Sequence, residues 1–132
     1  MEWKAIGRVT LGADGKLDFP TVTSVPALYR FCIRRVTGDA LCIGETENLA
    51  RRFAHYRNPG PTQVTNLRLN AIFREDLTAG AQIAVAAVIG GAWIERRNVR
   101  EAVDLASKPV RCLLENAALV ETGGTAVEGL NR

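Results

Sequence analysis

The chain has 132 residues, a formal net charge of +3 and 47% apolar residues, which fits one domain with its own core and leaves little room for a second. The longest apolar run, residues 81–93, contains Gln82 and two glycines and is shorter than the ~20 residues that a helix needs to cross a bilayer. Glu2, Trp3 and Lys4 at the N-terminus lack the apolar core of an export signal, so we expect a cytoplasmic protein with no membrane partner.

Cysteine usage argues against one class of metal site. Cys32, Cys42 and Cys112 form no C-x-x-C arrangement, and the chain has a single histidine. We therefore predict reduced, mostly buried thiols rather than a zinc site of Cys and His ligands. The pI near 9.0 suits a polyanionic partner without requiring one.

The first part of the chain predicts two hairpins. Residues 3–11 alternate weakly, and Asp14-Gly15 is a tight-turn signal, so residues 1–25 are predicted to be an N-terminal hairpin extension of a domain formed by residues 26–132. Residues 28–36 and 40–44 are short apolar strands around the Gly-containing turn 37–39, which is typical of an antiparallel hairpin.

Two helices and a strand are predicted next. Thr46 is the predicted cap of the first helix, in which Leu49 and Phe53 form an i, i+4 apolar pair. The Asn-Pro-Gly-Pro sequence at 58–61 ends it, and a second helix is predicted over 62–78, with Gly80 as its C-terminal stop. Residues 82–89 are apolar on both faces, as in a strand in the middle of a sheet.

The last part of the chain predicts two more helices. Asn98 with Glu101 three positions later matches a capping box and predicts a short third helix. The fourth starts at 107–109 and ends at the glycines 123–124, and its apolar residues are Leu113, Leu114, Ala117 and Val120. The predicted fold is α/β (α+β), with a small central antiparallel sheet flanked by helices.

The most specific pattern lies in residues 26–57. Residues 27–29 are Ala-Leu-Tyr, residues 42–44 are Cys-Ile-Gly, and residues 48–53 are Asn-Leu-Ala-Arg-Arg-Phe. This segment resembles the GIY-YIG nuclease domain, in which one strand carries Gly-Ile-Tyr, a second carries Tyr-Ile-Gly, and a helix with an Asn-Leu-x-x-Arg pattern follows. The resemblance extends over residues 26–131. It implies a GIY-YIG-like fold and hydrolysis of DNA phosphodiester bonds with Mg²⁺ or Mn²⁺.

The resemblance also implies roles for four residues. Arg52 matches the family's catalytic arginine, and Tyr29 matches the first tyrosine, which is placed to act as the base or to orient water. Tyr56 matches a tyrosine or histidine one turn beyond the arginine. Glu115 matches the late-helix glutamate that binds the metal, and Mg²⁺ tolerates one protein ligand because it keeps most of its waters. We expect these four side chains to converge on one basic hollow.

Spacing alone leaves a structural alternative open for each of these residues. Arg52 would be a solvated surface residue, and each tyrosine would pack in the core with its hydroxyl at the edge. Glu115 would pair with Arg111 one turn earlier. A base role for a phenol also needs a nearby cation or metal that lowers its pKa from about 10.

The motif departs from the family pattern mildly in the first triplet, where Ala27 replaces the glycine, and more strongly in the second. Cys42 replaces the tyrosine, whereas Gly44 keeps the glycine, and Asn131 matches an asparagine that closes the family domain. A thiol is shorter than a phenol and a weaker donor. The alternative function is therefore a nucleic-acid-binding module of the same fold with weakened or absent catalysis.

Further polar residues are predicted to contact the nucleic acid, which we expect to be DNA without excluding RNA. They are Arg51, His55, Arg57, Asn70, Arg74, Arg96 and Arg97. The resemblance implies one active site per chain, so cleavage of both strands would require a homodimer or two visits by a monomer.

Overall fold

The structure is a computed structural model that describes residues 1–90, 92–122 and 128–129. Its strands are β1 (Lys4–Leu11), β2 (Leu17–Asp18), β3 (Ala27–Arg34), β4 (Ala40–Thr46), β5 (Gln82–Val88), β6 (Trp93–Arg96), β7 (Val99–Ala102) and β8 (Glu128–Gly129). Its helices are α1 (Leu49–Arg57), α2 (Val64–Thr78) and α3 (Lys108–Thr122).

The central sheet has the strand order β2-β1-β5-β3-β4-β8. Its first five strands are antiparallel, and β8 adds to β4 in parallel. The predicted antiparallel sheet, the β3–β4 hairpin and the central position of β5 are confirmed. The predicted N-terminal hairpin belongs to the same sheet, because β1 pairs along β5 from Lys4↔Ala87 to Val9↔Ile83.

Helices cover both faces of the sheet. Successive side chains of a strand point to opposite faces, so Tyr29, Phe31 and Ile33 of β3 join the main core with residues of α1 and α2. Leu28 lies on the other face and forms a second cluster with Leu114 of α3. The strand β4 is thus packed between α1 and α2 on one side and α3 on the other.

The helix that carries the Asn-Leu-x-x-Arg pattern starts two residues later than predicted. Asn48, not Thr46, is the cap of α1: its side chain accepts a hydrogen bond from the backbone N–H of Arg51. The Thr46 hydroxyl instead accepts from the backbone N–H of Asn48 at 3.1 Å, so Thr46 fixes the capping residue. From this start, Leu49, Phe53 and Tyr56 face the core.

The helix predicted from Asn98 is wrong. Residues Trp93–Arg96 and Val99–Ala102 instead form an antiparallel hairpin in which Arg96 pairs with Val99. Its two-residue turn, Arg97-Asn98, has positive φ at both positions, the geometry that matches the twist of a hairpin. The apparent capping box was therefore a turn signal, since asparagine tolerates the left-handed conformation as well as it caps a helix.

Helix α3 forms where it was predicted, but its buried face differs in part. Leu114 is buried as expected, whereas Leu113 and Val120 are exposed, and Ala118 takes the next core position. The predicted stop at 123–124 lies outside the described residues. Within the described part of the chain, no helix is long and apolar enough to cross a membrane.

Candidate active site

A cavity of about 410 Å³ lies beside β4, where elements from both faces of the sheet meet. Cys42 and Gly44 line it from one face of β4 and Glu45 from the other. The strand β3 contributes Tyr29. The remaining polar lining comes from three helices, namely Arg52 and Tyr56 of α1, Thr65 and Arg68 of α2, and Glu115 of α3.

The four residues predicted to form the catalytic site all line this cavity. The hydroxyl oxygens of Tyr29 and Tyr56 lie 2.6 Å apart, so one phenol donates a hydrogen bond to the other. Arg52, one helical turn before Tyr56, interacts with the Tyr56 hydroxyl. Within the described residues, Arg52 has no ion-pair partner, so the N–H donors that do not bond to Tyr56 remain available to an anion.

Gly44 permits this arrangement of phenols. It pairs with Tyr29 across the β3–β4 ladder, and the phenol ring lies over its Cα. A Cβ at position 44 would overlap the Tyr29 hydroxyl and ring atoms. The glycine of the second triplet is therefore required by close packing against the tyrosine of the first.

Burial raises the pKa of both phenols above 10. For Tyr29 the neighbouring Tyr56 adds to this effect, while the positive charge of Arg52 works against it. Arg52 itself stays fully charged, because the interaction with the phenols offsets the burial that would lower its pKa. The protein residues alone therefore hold Tyr29 and Tyr56 as neutral phenols at neutral pH.

Glu115 is half-buried at the cavity, and its pKa is raised by that burial and by the nearby negative charge of Glu45, while Arg52 opposes the shift. Glu115 has no hydrogen bond or ion pair among the described residues. The predicted alternative, a pair with Arg111, does not form. Arg111 instead bonds to Glu45 at 2.8 Å and to the carbonyls of Leu105 and Ala106.

The sequence predicted a basic hollow, but the cavity carries acidic as well as basic side chains. Arg52 and Arg68 face Glu45 and Glu115 across it. Cys42 lies among these charges without becoming a thiolate, because burial raises its pKa to about 12 although Arg68 pulls it down. The site therefore combines two cations with one carboxylate, Glu115, whose charge no described ion pair neutralises.

Five of the residues predicted to contact nucleic acid fall into two groups. Arg51 and His55 line a second cavity that shares Glu45 and Arg52 with the first. Arg57, Asn70 and Arg74 line a different hollow. Two of these three side chains have structural contacts: Asn70 donates to the carbonyls of Tyr56 and Arg57 at the end of α1, and Arg57 donates to the Leu17 carbonyl.

Three predicted positions lie outside these cavities or outside the described atoms. Arg97 is exposed at the β6–β7 turn. Arg96 belongs to β6, but its side chain is not among those described. Asn131 lies outside the described residues, so its match to the family pattern stays a prediction.

Sequence reasoning missed Glu45, Thr65 and Arg68, which line the cavity with the predicted residues. Glu45 directly follows the second triplet, and this position is the one sequence feature that could have placed it at the site. Thr65 and Arg68 lie on α2, whose placement beside β4 depends on long-range packing. No local pattern marks them.

No protein-family model and no curated protein sequence matches this chain. Among solved structures, it is similar to a glutamate-to-alanine mutant of EndoII from bacteriophage T4, with a TM-score of 0.57 and 16% sequence identity. The match covers 87% of this chain and 86% of the EndoII chain. EndoII is a GIY-YIG-type endonuclease.

The chain has a GIY-YIG-like fold. At this level of identity the similarity establishes the architecture alone. In this fold, β3 carries the first triplet, β4 carries the second, and α1 with its capping residue carries the Asn-Leu-x-x-Arg pattern.

Proposed function

We propose that this protein is a metal-dependent nuclease that hydrolyses phosphodiester bonds in DNA. The observation that carries the proposal is the convergence of Tyr29, Arg52, Tyr56 and Glu115 on one cavity. These residues come from three separate elements, so their meeting is a property of the fold and not of local sequence. The similarity to a phage endonuclease supports the same reaction class.

Arg52 is the residue that would bind the scissile phosphate. Hydrolysis places additional negative charge on the phosphate oxygens in the transition state, and a fixed cation stabilises that charge. The Arg52 guanidinium stays charged, borders the cavity and has no described carboxylate partner. A lysine could not offer the same planar pair of donors to two phosphate oxygens.

The Tyr29–Tyr56 pair would position the attacking water. Because both phenols are held neutral, each can donate one hydrogen bond and accept another. One hydroxyl proton is used between the two rings. Because Arg52 can only donate to the Tyr56 oxygen, the other hydroxyl proton is left to be donated to a water in the cavity. Proton abstraction by Tyr29 would require a further cation beside it, since its pKa is raised well above its ordinary value.

Glu115 is the side chain that would hold Mg²⁺ or Mn²⁺. Among the described residues there is no cluster of three or more acidic, histidine or cysteine side chains, so the donor set fits an ion that keeps most of its waters, as Mg²⁺ does. The carboxylate has no competing described partner, and a cation beside it would offset the burial and the negative charge of Glu45, which raise its pKa. The ion would supply positive charge to the phosphate.

Cys42 supports a second candidate function. A buried neutral thiol stands where the motif tyrosine would be, so the protein could bind nucleic acid without cleaving it efficiently. In that case Arg52 would retain its role toward phosphate, while the reaction would lack one phenol.

Plasmid nicking distinguishes the two functions. Supercoiled DNA is incubated with the protein in Mg²⁺, in Mn²⁺ and in EDTA, and a structured RNA is tested in parallel. The nuclease proposal predicts metal-dependent nicking that is lost in Glu115→Gln and Arg52→Lys and retained in Glu101→Gln, a matched change at an exposed position of β7. DNA binding without nicking in any metal would instead favour the binding module.

A further inference from the structure

A second cavity, of about 290 Å³, lies next to the candidate active site. It is formed between α1, the end of β4 and the start of α3. The two cavities share Arg52 and Glu45. A nucleic-acid strand with one phosphate at Arg52 would therefore place a neighbouring phosphate in the second cavity. Its basic side chains are Arg51, Arg52, His55, Lys108 and Arg111.

The ion pairs around this cavity leave an excess of positive charge. Arg111 is bonded to Glu45, with 4% of the arginine side chain and 16% of the glutamate side chain exposed. Arg51 is paired with Glu47 one turn earlier on the chain. Both carboxylates in the lining are therefore already neutralised by an arginine of their own.

Lys108 and His55 have no such partner. Neither side chain has a hydrogen bond or an ion pair among the described residues, and Arg52 is likewise without an ion pair. Arg52, Lys108 and His55 therefore border one cavity, and among the described residues none of the three has a carboxylate within ion-pair distance. An anion is the ligand that this arrangement of charge favours.

We infer that this second cavity binds a neighbouring phosphate of the same nucleic-acid strand, with Lys108 and His55 as its ligands and Arg52 shared with the scissile phosphate. The inference rests on the proposed function, because it assumes a strand whose scissile phosphate lies at Arg52. It adds Lys108, which no sequence pattern marked, and it assigns His55, predicted from the sequence to contact nucleic acid, to one particular phosphate.

The test measures binding without cleavage. A short fluorescein-labelled DNA duplex and the matching single strand are titrated with protein in EDTA, and anisotropy gives the dissociation constant at several salt concentrations. Each phosphate contact contributes about −0.9 for a duplex, or about −0.7 for a single strand, to the slope of log K against log salt. Lys108→Ala should therefore weaken binding several-fold and reduce that slope by nearly one unit, and His55→Ala should weaken binding without unfolding the protein.

Lys4→Ala is the matched control, because Lys4 is an exposed lysine of β1 that lines neither of these two cavities. It should leave both the affinity and the slope unchanged. Lys108→Arg should keep the wild-type salt slope, since it keeps the positive charge. Thermal melting of each variant checks that the fold is intact.

The outcomes separate this inference from the proposed function. If Lys108→Ala and His55→Ala bind DNA with the wild-type affinity and salt slope while the wild type nicks DNA, the strand-binding role of the second cavity is overturned and the nuclease proposal stands. If the wild type neither binds nor nicks nucleic acid, both are overturned. Binding of inorganic phosphate alone, with no effect of the substitutions on DNA, would also overturn the inference.

Discussion

The hydroxyl groups of Tyr29 and Tyr56 lie 2.6 Å apart and form a hydrogen bond between strand β3 and helix α1. Both side chains are almost completely buried, and the two residues are 27 positions apart in the chain. This hydrogen bond therefore ties β3 to α1 at the wall of the candidate active site. Arg52, one turn before Tyr56, is held in the same arrangement.

Removing either hydroxyl should reduce stability and activity together. In Tyr29→Phe, Tyr56 keeps its interaction with Arg52, whereas in Tyr56→Phe both Tyr29 and Arg52 lose a partner. We expect Tyr56→Phe to cost more of the free energy of unfolding, about 1–3 kcal/mol for leaving buried polar groups unsatisfied. Urea unfolding of both single variants and the double variant measures this. A coupling energy of zero between the two substitutions would contradict the hydrogen bond.

The same two variants test the proposed role of the phenols in hydrolysis. Loss of a group that positions or moves a proton in the transition state lowers a rate by about 10²–10⁴. We expect Tyr29→Phe to lower the single-turnover nicking rate within that range while DNA binding in EDTA changes little. Nicking at the wild-type rate by a folded Tyr29→Phe would remove Tyr29 from the mechanism.

Gly44→Ala should disturb the tyrosine pair although it adds a single methyl group. The added Cβ would overlap the Tyr29 phenol, which is packed in the core and cannot swing aside. We expect a loss of about 1–3 kcal/mol in the free energy of unfolding, as for other overpacked cores, and loss of nicking. Gly90→Ala is the control, because a Cβ there meets no atom within 4 Å. Equal stability of the two variants would show that Tyr29 does not lie over Gly44.

Local sequence predicts the β3–β4 hairpin and α1 because their signals agree. The turn at Gly38 has a positive φ, and the Leu49–Phe53 spacing places both residues in the core. The β6–β7 hairpin was missed because Asn98 serves a turn and a helix cap equally well, and only the pairing of β6 with β7 decides between them. Likewise, the Glu45–Arg111 bond joins residues 66 positions apart, which no local pattern encodes.

Cys42 should be the least reactive of the three cysteines in the folded protein. Its thiol is buried and has a pKa of about 12, so at pH 8 the thiolate fraction is on the order of 10⁻⁴. Cys32 and Cys112 are only partly buried. Timed alkylation with iodoacetamide followed by peptide mass spectrometry should label Cys42 last, and unfolding in urea should abolish the difference. Rapid labelling of Cys42 in the native state would contradict its placement.

Arg111→Ala should be strongly destabilising. The substitution leaves the Glu45 carboxylate without its partner in a partly buried position and frees the carbonyls of Leu105 and Ala106. Breaking one side of a buried ion pair costs about 3–5 kcal/mol. Arg100→Ala, which removes an exposed arginine paired with Glu95 at 3.4 Å, should cost about 1 kcal/mol or less. Chemical denaturation of the two variants checks this, and a similar loss in both would show that the Glu45–Arg111 pair does not join α3 to β4.

Glu115 should lower the stability of the protein when it is ionised and no cation is present. Its folded-state pKa is raised above the ordinary value of 4.5 by burial and by Glu45, so the folded state binds the proton more tightly than the unfolded state does. The free energy of unfolding therefore falls as the pH rises through the interval between 4.5 and the raised value. We expect Glu115→Gln to have a higher Tm than the wild type at pH 7.5 in EDTA, while the two differ less at pH 4.

Divalent cations should reverse that order. Mg²⁺ that binds the folded state at Glu115 stabilises it by mass action, so titration with Mg²⁺ should raise the Tm of the wild type and of Glu101→Gln but not that of Glu115→Gln. The nicking activity should follow the same dependence on Mg²⁺ concentration, because one carboxylate is assigned to both effects. An equal rise in Tm for all three proteins would place the cation elsewhere, and a nicking activity that persists in Glu115→Gln would separate hydrolysis from this carboxylate.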